Sequence, residues 1–141
     1  MSQSVLLIED ETTLAKNICL YLVHYGYEVR VATTAEQGLG EMDTFKPDIV
    51  LLDFNLSGMN GMEALQKIRA IDRSIKIIMI TAHGSIELAV DAVKQGAYHF
   101  LTKPLALGKL RLTLEKASHD ERRDQALSYY QSKLEIGRAH V

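Results

Sequence analysis

Asp53 closes an apolar run. Ile49 to Leu52 read as the interior of a buried strand, and the carboxylate that follows them opens a loop of turn residues, Asn55 to Asn60. The same arrangement recurs along the chain. Glu9 and Asp10 follow the apolar run Val5 to Ile8, Thr33 and Thr34 follow Glu28 to Ala32, Thr81 follows Ile75 to Ile80, and Thr102, Lys103 and Pro104 follow Tyr98 to Leu101. If these runs are parallel strands of one sheet, three carboxylates, several hydroxyls and one ammonium arrive at one edge. Carboxylates in one crevice repel, so they take up protons or share a cation. A hard divalent ion with oxygen ligands is the simpler solution at neutral pH, and Mg²⁺ fits, being commonly held by one or two carboxylates, water and phosphate oxygens. A lysine and a threonine hydroxyl beside it suit the equatorial oxygens of a transferring phosphoryl group. Asp53 would be the nucleophile, forming an aspartyl phosphate. Taken singly, each residue has an ordinary use: a strand-end Asp forms turns, Glu9-Asp10 caps a helix, Thr81 caps a loop and Lys103 is a solvated charge. The joint placement at one edge carries the specificity.

The elements that must position these residues are legible. Val5 to Ile8 predicts a strand. From Thr12 a helical period places Leu14, Ile18, Tyr21, Leu22 and Tyr25 on one face until Gly26. Glu28 to Ala32 predicts a second strand, and Thr34 an N-cap for a helix to about Met42 that Pro47 breaks. Asp48 to Asp53 is the third strand, and Gly61 to Ile71 a helix with Met62, Leu65 and Ile68 on one side. Ile75 to Ile80 is the fourth strand. Ser85 caps a helix that carries Ile86, Ala89, Val90 and Val93 and ends at Gly96. Tyr98 to Leu101 is the fifth strand, and a long helix follows the turn at Lys103-Pro104. Strand and helix alternate five times with short connections, which predicts an α/β domain with a parallel sheet. Right-handed crossovers put all strand C-terminal ends on one edge, where ligand sites of open α/β sheets lie.

Composition bounds the rest. The chain has 141 residues, 47% hydrophobic, which is ample for a core. Its formal charge of −2 gives no sign of a nucleic-acid-binding surface, which would need clustered Lys and Arg. The single cysteine, Cys19, forbids an internal disulfide and reads as a core residue. No apolar run approaches a membrane span and Ser4 to Ile8 is too short for a signal peptide, so the chain reads as soluble and cytoplasmic, without membrane contact.

With these motifs in place, the chain resembles the receiver domain of bacterial two-component response regulators across roughly Ser4 to Ala117. The matching positions are Glu9-Asp10 after strand one, Asp53 after strand three, Thr81-Ala82 after strand four and Lys103-Pro104 after strand five, with Gly58, Gly61 and "GAYHFLTKP" from Gly96. The resemblance implies a flavodoxin-like doubly wound five-stranded parallel sheet of order 2-1-3-4-5. It implies Asp53 as phosphoacceptor for a sensor histidine kinase, and Asp10 and Asp53 as direct Mg²⁺ ligands, with Glu9 acting through water and the Asn55 backbone carbonyl completing the set. Thr81 then closes on the phosphoryl group, Lys103 is its counter-charge, Phe100 is the switch aromatic, and Asn55 and His83 tune dephosphorylation. On this reading the protein is not an enzyme in its own right, only assisting its own modification, and phosphorylation shifts the face formed by helix four, strand five and helix five. One position departs from the pattern. Ser57 stands where the family usually has proline, which costs the loop a fixed φ but no catalytic group.

The end of the chain extends the expectation. Residues 1–117 form the receiver unit. Leu107, Leu110, Leu114 and Ala117 share one apolar face, and Leu127, Tyr130 and Leu134 return at heptad spacing after a charged stretch, so 118–135 reads as an extended helical linker, either a solvated helix or a short coiled-coil dimer seam. "ALSYYQSKLE" resembles the linker of nitrogen-regulation-type activators, whose AAA+ and helix-turn-helix domains lie downstream; DNA contact would come only through such a domain. "IGRAHV", residues 136–141, resembles translated sequencing adapter and reads as a non-native scar on a naturally longer protein. Two competing readings remain. A haloacid-dehalogenase-type phosphatase also uses a strand-end Asp with Mg²⁺, but it wants a second Asp where this chain has Asn55. A binding module, nucleotide-binding or phosphate-independent, would not need the acidic set, Thr81 and Lys103, and "EDETT" has no glycine to admit a pyrophosphate.

Overall fold

The structure, a computed structural model, describes residues 3–82 and 86–119. His83 and Ser85, and the linker and terminal segments expected beyond residue 119, lie outside the described residues. The elements run β1 (Ser4–Ile8), α1 (Thr12–His24), β2 (Glu28–Ala32), α2 (Ala35–Phe45), β3 (Ile49–Asp53), α3 (Gly61–Ile71), β4 (Lys76–Thr81), α4 (Ile86–Lys94) and β5 (His99–Thr102), followed by a last helix, α5 (residues 107–119).

The five strands pair in parallel in the order β2-β1-β3-β4-β5. This is the flavodoxin-like doubly wound order, with its reversal between β1 and β3. Side-chain alternation along the strands builds two cores. Val5, Leu7, Ile49, Leu51, Ile78 and Ile80 face α1 and α5, meeting Ile18, Leu22, Leu110 and Leu114. Leu6, Ile8, Val50, Leu52, Ile77 and Met79 face the other way, meeting Ala35, Met42, Leu65, Ile68 and Ala92 of α2, α3 and α4. Every residue of β3 is therefore buried, as a central strand covered on both faces must be. Each fully buried Leu or Ile contributes about 1.5–3 kcal/mol, and this is what fixes the strand end that carries Asp53.

Several local expectations change. α2 runs on to Phe45 and stops at Lys46, whose left-handed φ of 52° ends it before Pro47 is reached. Phe45 is retained because it packs against the core and under the Arg30 guanidinium, 4.7 Å from the ring centre. β4 includes Thr81, so that residue is held by sheet pairing with Thr102 rather than by a loop. Cys19 is half-buried, not a core residue, because it lies beside rather than on the inward stripe of Ala15, Ile18 and Leu22. On α4 the expected apolar face divides. Ala89 and Ala92 are buried, their small side chains letting the helix approach the sheet, while Ile86 (61% exposed), Leu88, Val90 and Val93 face outward.

Candidate functional site

Five sequence segments bring their residues to the C-terminal edge of the sheet. Glu9 follows β1, and its N–H donates to the Ala32 carbonyl (3.0 Å), extending the sheet by one bond and drawing the side chain inside. Its carboxylate is fully buried; Oε2 accepts from the Glu11 N–H at 3.2 Å. Asp53, 1% exposed, is fixed by the Phe54 N–H to Ile80 carbonyl bond (2.8 Å) immediately behind it. Its Oδ1 accepts from the Asn55 N–H at 3.1 Å and its Oδ2 from Lys103 Nζ at 3.3 Å. Lys103 Nζ also lies 3.3 Å from Glu9 Oε1, so one ammonium bridges two buried carboxylates. The Lys103 N–H bonds the Thr81 carbonyl at 2.8 Å, which sets where that side chain starts, and the peptide bond to Pro104 is cis.

The loop behind Asp53 is shaped by close approach. The Gly61 N–H donates to the Phe54 carbonyl at 3.0 Å, and a Cβ on Gly61 would stand 2.6 Å from the Phe54 Cα. Only glycine lets α3 begin so close to the end of β3. Asn60 then caps the helix, its side chain accepting from the Glu63 N–H at 2.9 Å.

Glu9, Asp10 and Asp53 each offer a carboxylate oxygen, and these lie within 4.8 Å of one another. Burial pushes the Glu9 carboxyl up from 4.5 to about 7; the adjacent Asp53 charge adds to the rise, while the Glu11 N–H and Lys103 oppose it. Burial also works against the charge of Lys103, but Asp53 and Glu9 outweigh it and raise its pKa. The cluster carries more negative charge than one lysine neutralises. Among the described residues, Glu9 Oε1, fully buried, makes no hydrogen bond; what it meets is the Lys103 ammonium at 3.3 Å. An all-oxygen, acidic donor set whose buried Glu9 oxygen shares a single ammonium with Asp53 fits a hard divalent cation.

The other expected residues fall into place unequally. Thr81 is fully buried at the same edge, its hydroxyl donating to the Leu101 carbonyl at a long 3.5 Å. Phe100 is half-buried against the core on the side of the sheet covered by α2, α3 and α4. Asn55 is exposed and contributes its backbone N–H to Asp53. Thr33 and Thr34 do not join the cluster: Thr34 caps α2 through the Gln37 N–H (3.0 Å), and Thr33 bonds the Gln37 side chain. The sequence reading missed that Ser57 donates to Asp10 Oδ2 at 3.3 Å; the signal available was a hydroxyl on the loop facing the acidic pair.

Among the described residues, no helix is long and apolar enough to cross a membrane. Regulatory protein LuxO of Vibrio vulnificus (strain YJ016) is 34% identical over 111 residues, covering 79% of this chain and 24% of that protein. Nitrogen assimilation regulatory protein NtrX of Azorhizobium caulinodans is 34% identical over 119 residues, covering 83% of this chain and 26% of that one. The chain thus spans about a quarter of the length of these curated relatives. The crystal structure of NtrX from Brucella abortus superposes with a TM-score of 0.87 at 30% identity, covering 92% of this chain and 30% of that one. The profile of the response regulator receiver domain matches residues 5–115, and the chain belongs to that family.

Proposed function

We propose that Asp53 accepts a phosphoryl group from the phosphohistidine of a sensor histidine kinase. One observation carries this reading: a buried Asp53 bridged to Lys103, with the carboxylates of Glu9 and Asp10 within reach of the same point. In the transfer, an Asp53 carboxylate oxygen forms the new P–O bond as the P–N bond breaks, and the imidazole keeps the electron pair and takes a proton. Lys103 supplies a charge fixed in place before the reaction, so little reorganisation is needed when the anion arrives. Asp10, Asp53 and the Asn55 backbone carbonyl would hold Mg²⁺ directly, and Glu9 through water. The ion would supply charge neutralisation to the phosphoryl oxygens.

The output follows from charge. An aspartyl phosphate adds about −1.5 to −2 charge and three acceptor oxygens. Thr81 spends its hydroxyl on a weak 3.5 Å bond, so moving it to a phosphoryl oxygen exchanges a poor partner for a strong one. Phe100, half-buried next to β4, would turn inward into the space this opens, shifting the face of α4, β5 and α5. The exposed Ile86, Val90 and Val93 give that face an apolar surface suited to homodimerisation once switched. Asn55 stands at the mouth of the site and, with His83, would set the rate at which water removes the phosphate. Residues 1–117 act as the receiver, 118–135 as a helical linker and 136–141 as a scar. The whole protein would be a cytoplasmic transcription regulator of the nitrogen-regulation type, touching DNA through a domain downstream of the linker. The receiver-family match favours this over a haloacid-dehalogenase-type phosphatase, and the intact set of Glu9, Asp10, Asp53, Thr81 and Lys103 favours it over a phosphate-independent module.

The test is labelling with acetyl phosphate and Mg²⁺, followed by sedimentation. Wild type should gain one acid-stable, hydroxylamine-labile phosphate per chain, and Asp53→Asn none. Wild-type labelling of Asp53→Asn, or steady turnover of a phosphomonoester, would sink the assignment.

A further inference from the structure

The tip of the loop between β3 and α3, residues 57–59, is fastened at two points. Ser57 Oγ donates to Asp10 Oδ2, and the Met59 N–H donates to Glu36 Oε1, each at 3.3 Å. Between these anchors Gly58 adopts a φ of +79°, turning the chain so that both bonds can form.

The three clustered carboxylates are held unequally. Glu9 is buried and takes the Glu11 N–H. Asp53 is buried and takes the Asn55 N–H and Lys103. Asp10 is only partly buried, and among the described residues the hydrogen bond its side chain receives is the one from Ser57. A carboxylate left without a partner samples several rotamers, and a cation that binds it must offset the entropy of ordering it. We propose that Ser57 is a positioning residue for the cation site. Its hydroxyl holds one oxygen of Asp10, keeping the carboxylate in the cluster and leaving its second oxygen to meet a divalent ion. This rests on the reading of Glu9, Asp10 and Asp53 as a cation site. A proline at this position would fix φ and offer no donor; serine supplies the donor and leaves φ to the flanking anchors.

The experiment separates hydroxyl from backbone. Mg²⁺ is titrated by calorimetry into the intact metal-free chain as wild type, Ser57→Ala, Ser57→Thr and Ser57→Pro, with thermal unfolding run in parallel. The carboxyl carbon shift of Asp10 is followed by NMR in the same titrations. Loss of one hydrogen bond of this kind should weaken Mg²⁺ binding about two- to tenfold in the alanine and proline variants, and the threonine variant should stay within about twofold of wild type. The Asp10 shift should move in metal-free Ser57→Ala and not in Ser57→Thr. Alanine binding Mg²⁺ as tightly as wild type overturns the role of Ser57 alone. Proline matching wild type while alanine and threonine weaken also overturns it, because the backbone would then be the agent. Wild type that binds no Mg²⁺ overturns both this role and the cation site. If the proline variant does not fold, the alanine and threonine pair decides.

Discussion

Replacing Glu9 with glutamine should stabilise the metal-free protein, and only above about pH 5. The Glu9 carboxyl is fully buried, with a pKa raised from 4.5 to about 7. In the unfolded chain it returns to its ordinary value. Between those two values the folded state keeps a proton that the unfolded state has lost, so stability falls as pH rises. The stability is fully present below pH 4.5 and is lost by the time pH has passed about 7. A difference of this size, at about 1.4 kcal/mol per pH unit, comes to about 3 kcal/mol. Glutamine has the shape of the protonated acid and does not titrate. Urea unfolding in EDTA should therefore give wild type and Glu9→Gln similar stabilities at pH 4. The curves should diverge through pH 5 to 7, and the variant should lead by up to about 3 kcal/mol at pH 8, a midpoint shift of about 1–3 M. His99, whose pKa is lowered by burial and by Lys116 and Lys109, titrates nearby but is common to both proteins, so the difference curve isolates Glu9. Saturating Mg²⁺ should shrink the gap by stabilising the folded wild type. A difference that stays constant from pH 4 to 8 would refute the reasoning, since Glu9 would then ionise as easily in the fold as in water.

Three further substitutions test the scaffold and the switch. Gly61→Ala should cost about 1–3 kcal/mol in urea unfolding, because its Cβ would meet the Phe54 backbone at 2.6 Å and a backbone cannot step aside; a neutral result would mean that α3 can start farther from β3. Asn60→Ala should cost about 1 kcal/mol through loss of the cap to the Glu63 N–H, and Asn60→Asp should recover most of it. Val90→Asp, on the outer side of α4, should leave unfolding stability within about 0.5 kcal/mol. It should also abolish any dimerisation that beryllofluoride induces in wild type, measured by sedimentation, without reducing labelling of Asp53.

The strand ends were legible because parallel strands buried on both faces leave a plain mark, as in Ile49 to Leu52 and Ile77 to Ile80. Short connections then leave little choice of topology, and Asp53, Thr81 and Lys103 reach one edge through pairings the apolar runs already implied. Helix ends were less legible. The stop at Lys46 depends on a left-handed backbone that lysine does not advertise, and Phe45 stays helical for a packing reason visible only beside Arg30. The division of α4 was hidden for a related cause. Helical periodicity marks Ile86, Val90 and Val93 as apolar but not which side the sheet takes, and the sheet takes the small side of Ala89 and Ala92.

By itself, then, the sequence determined which groups could do chemistry and that they would arrive together, since hydrophobic periodicity and chain connectivity are properties of the order of residues. Only the tertiary structure decided how those groups treat one another. The bridging of Glu9 and Asp53 by Lys103, the lift of Glu9 to about 7 and the bond from Ser57 to Asp10 all depend on distances of a few ångströms between residues far apart in the chain. Electrostatic and hydrogen-bond energies change steeply over such distances and with burial, and neither is written in the spacing of residues along a line.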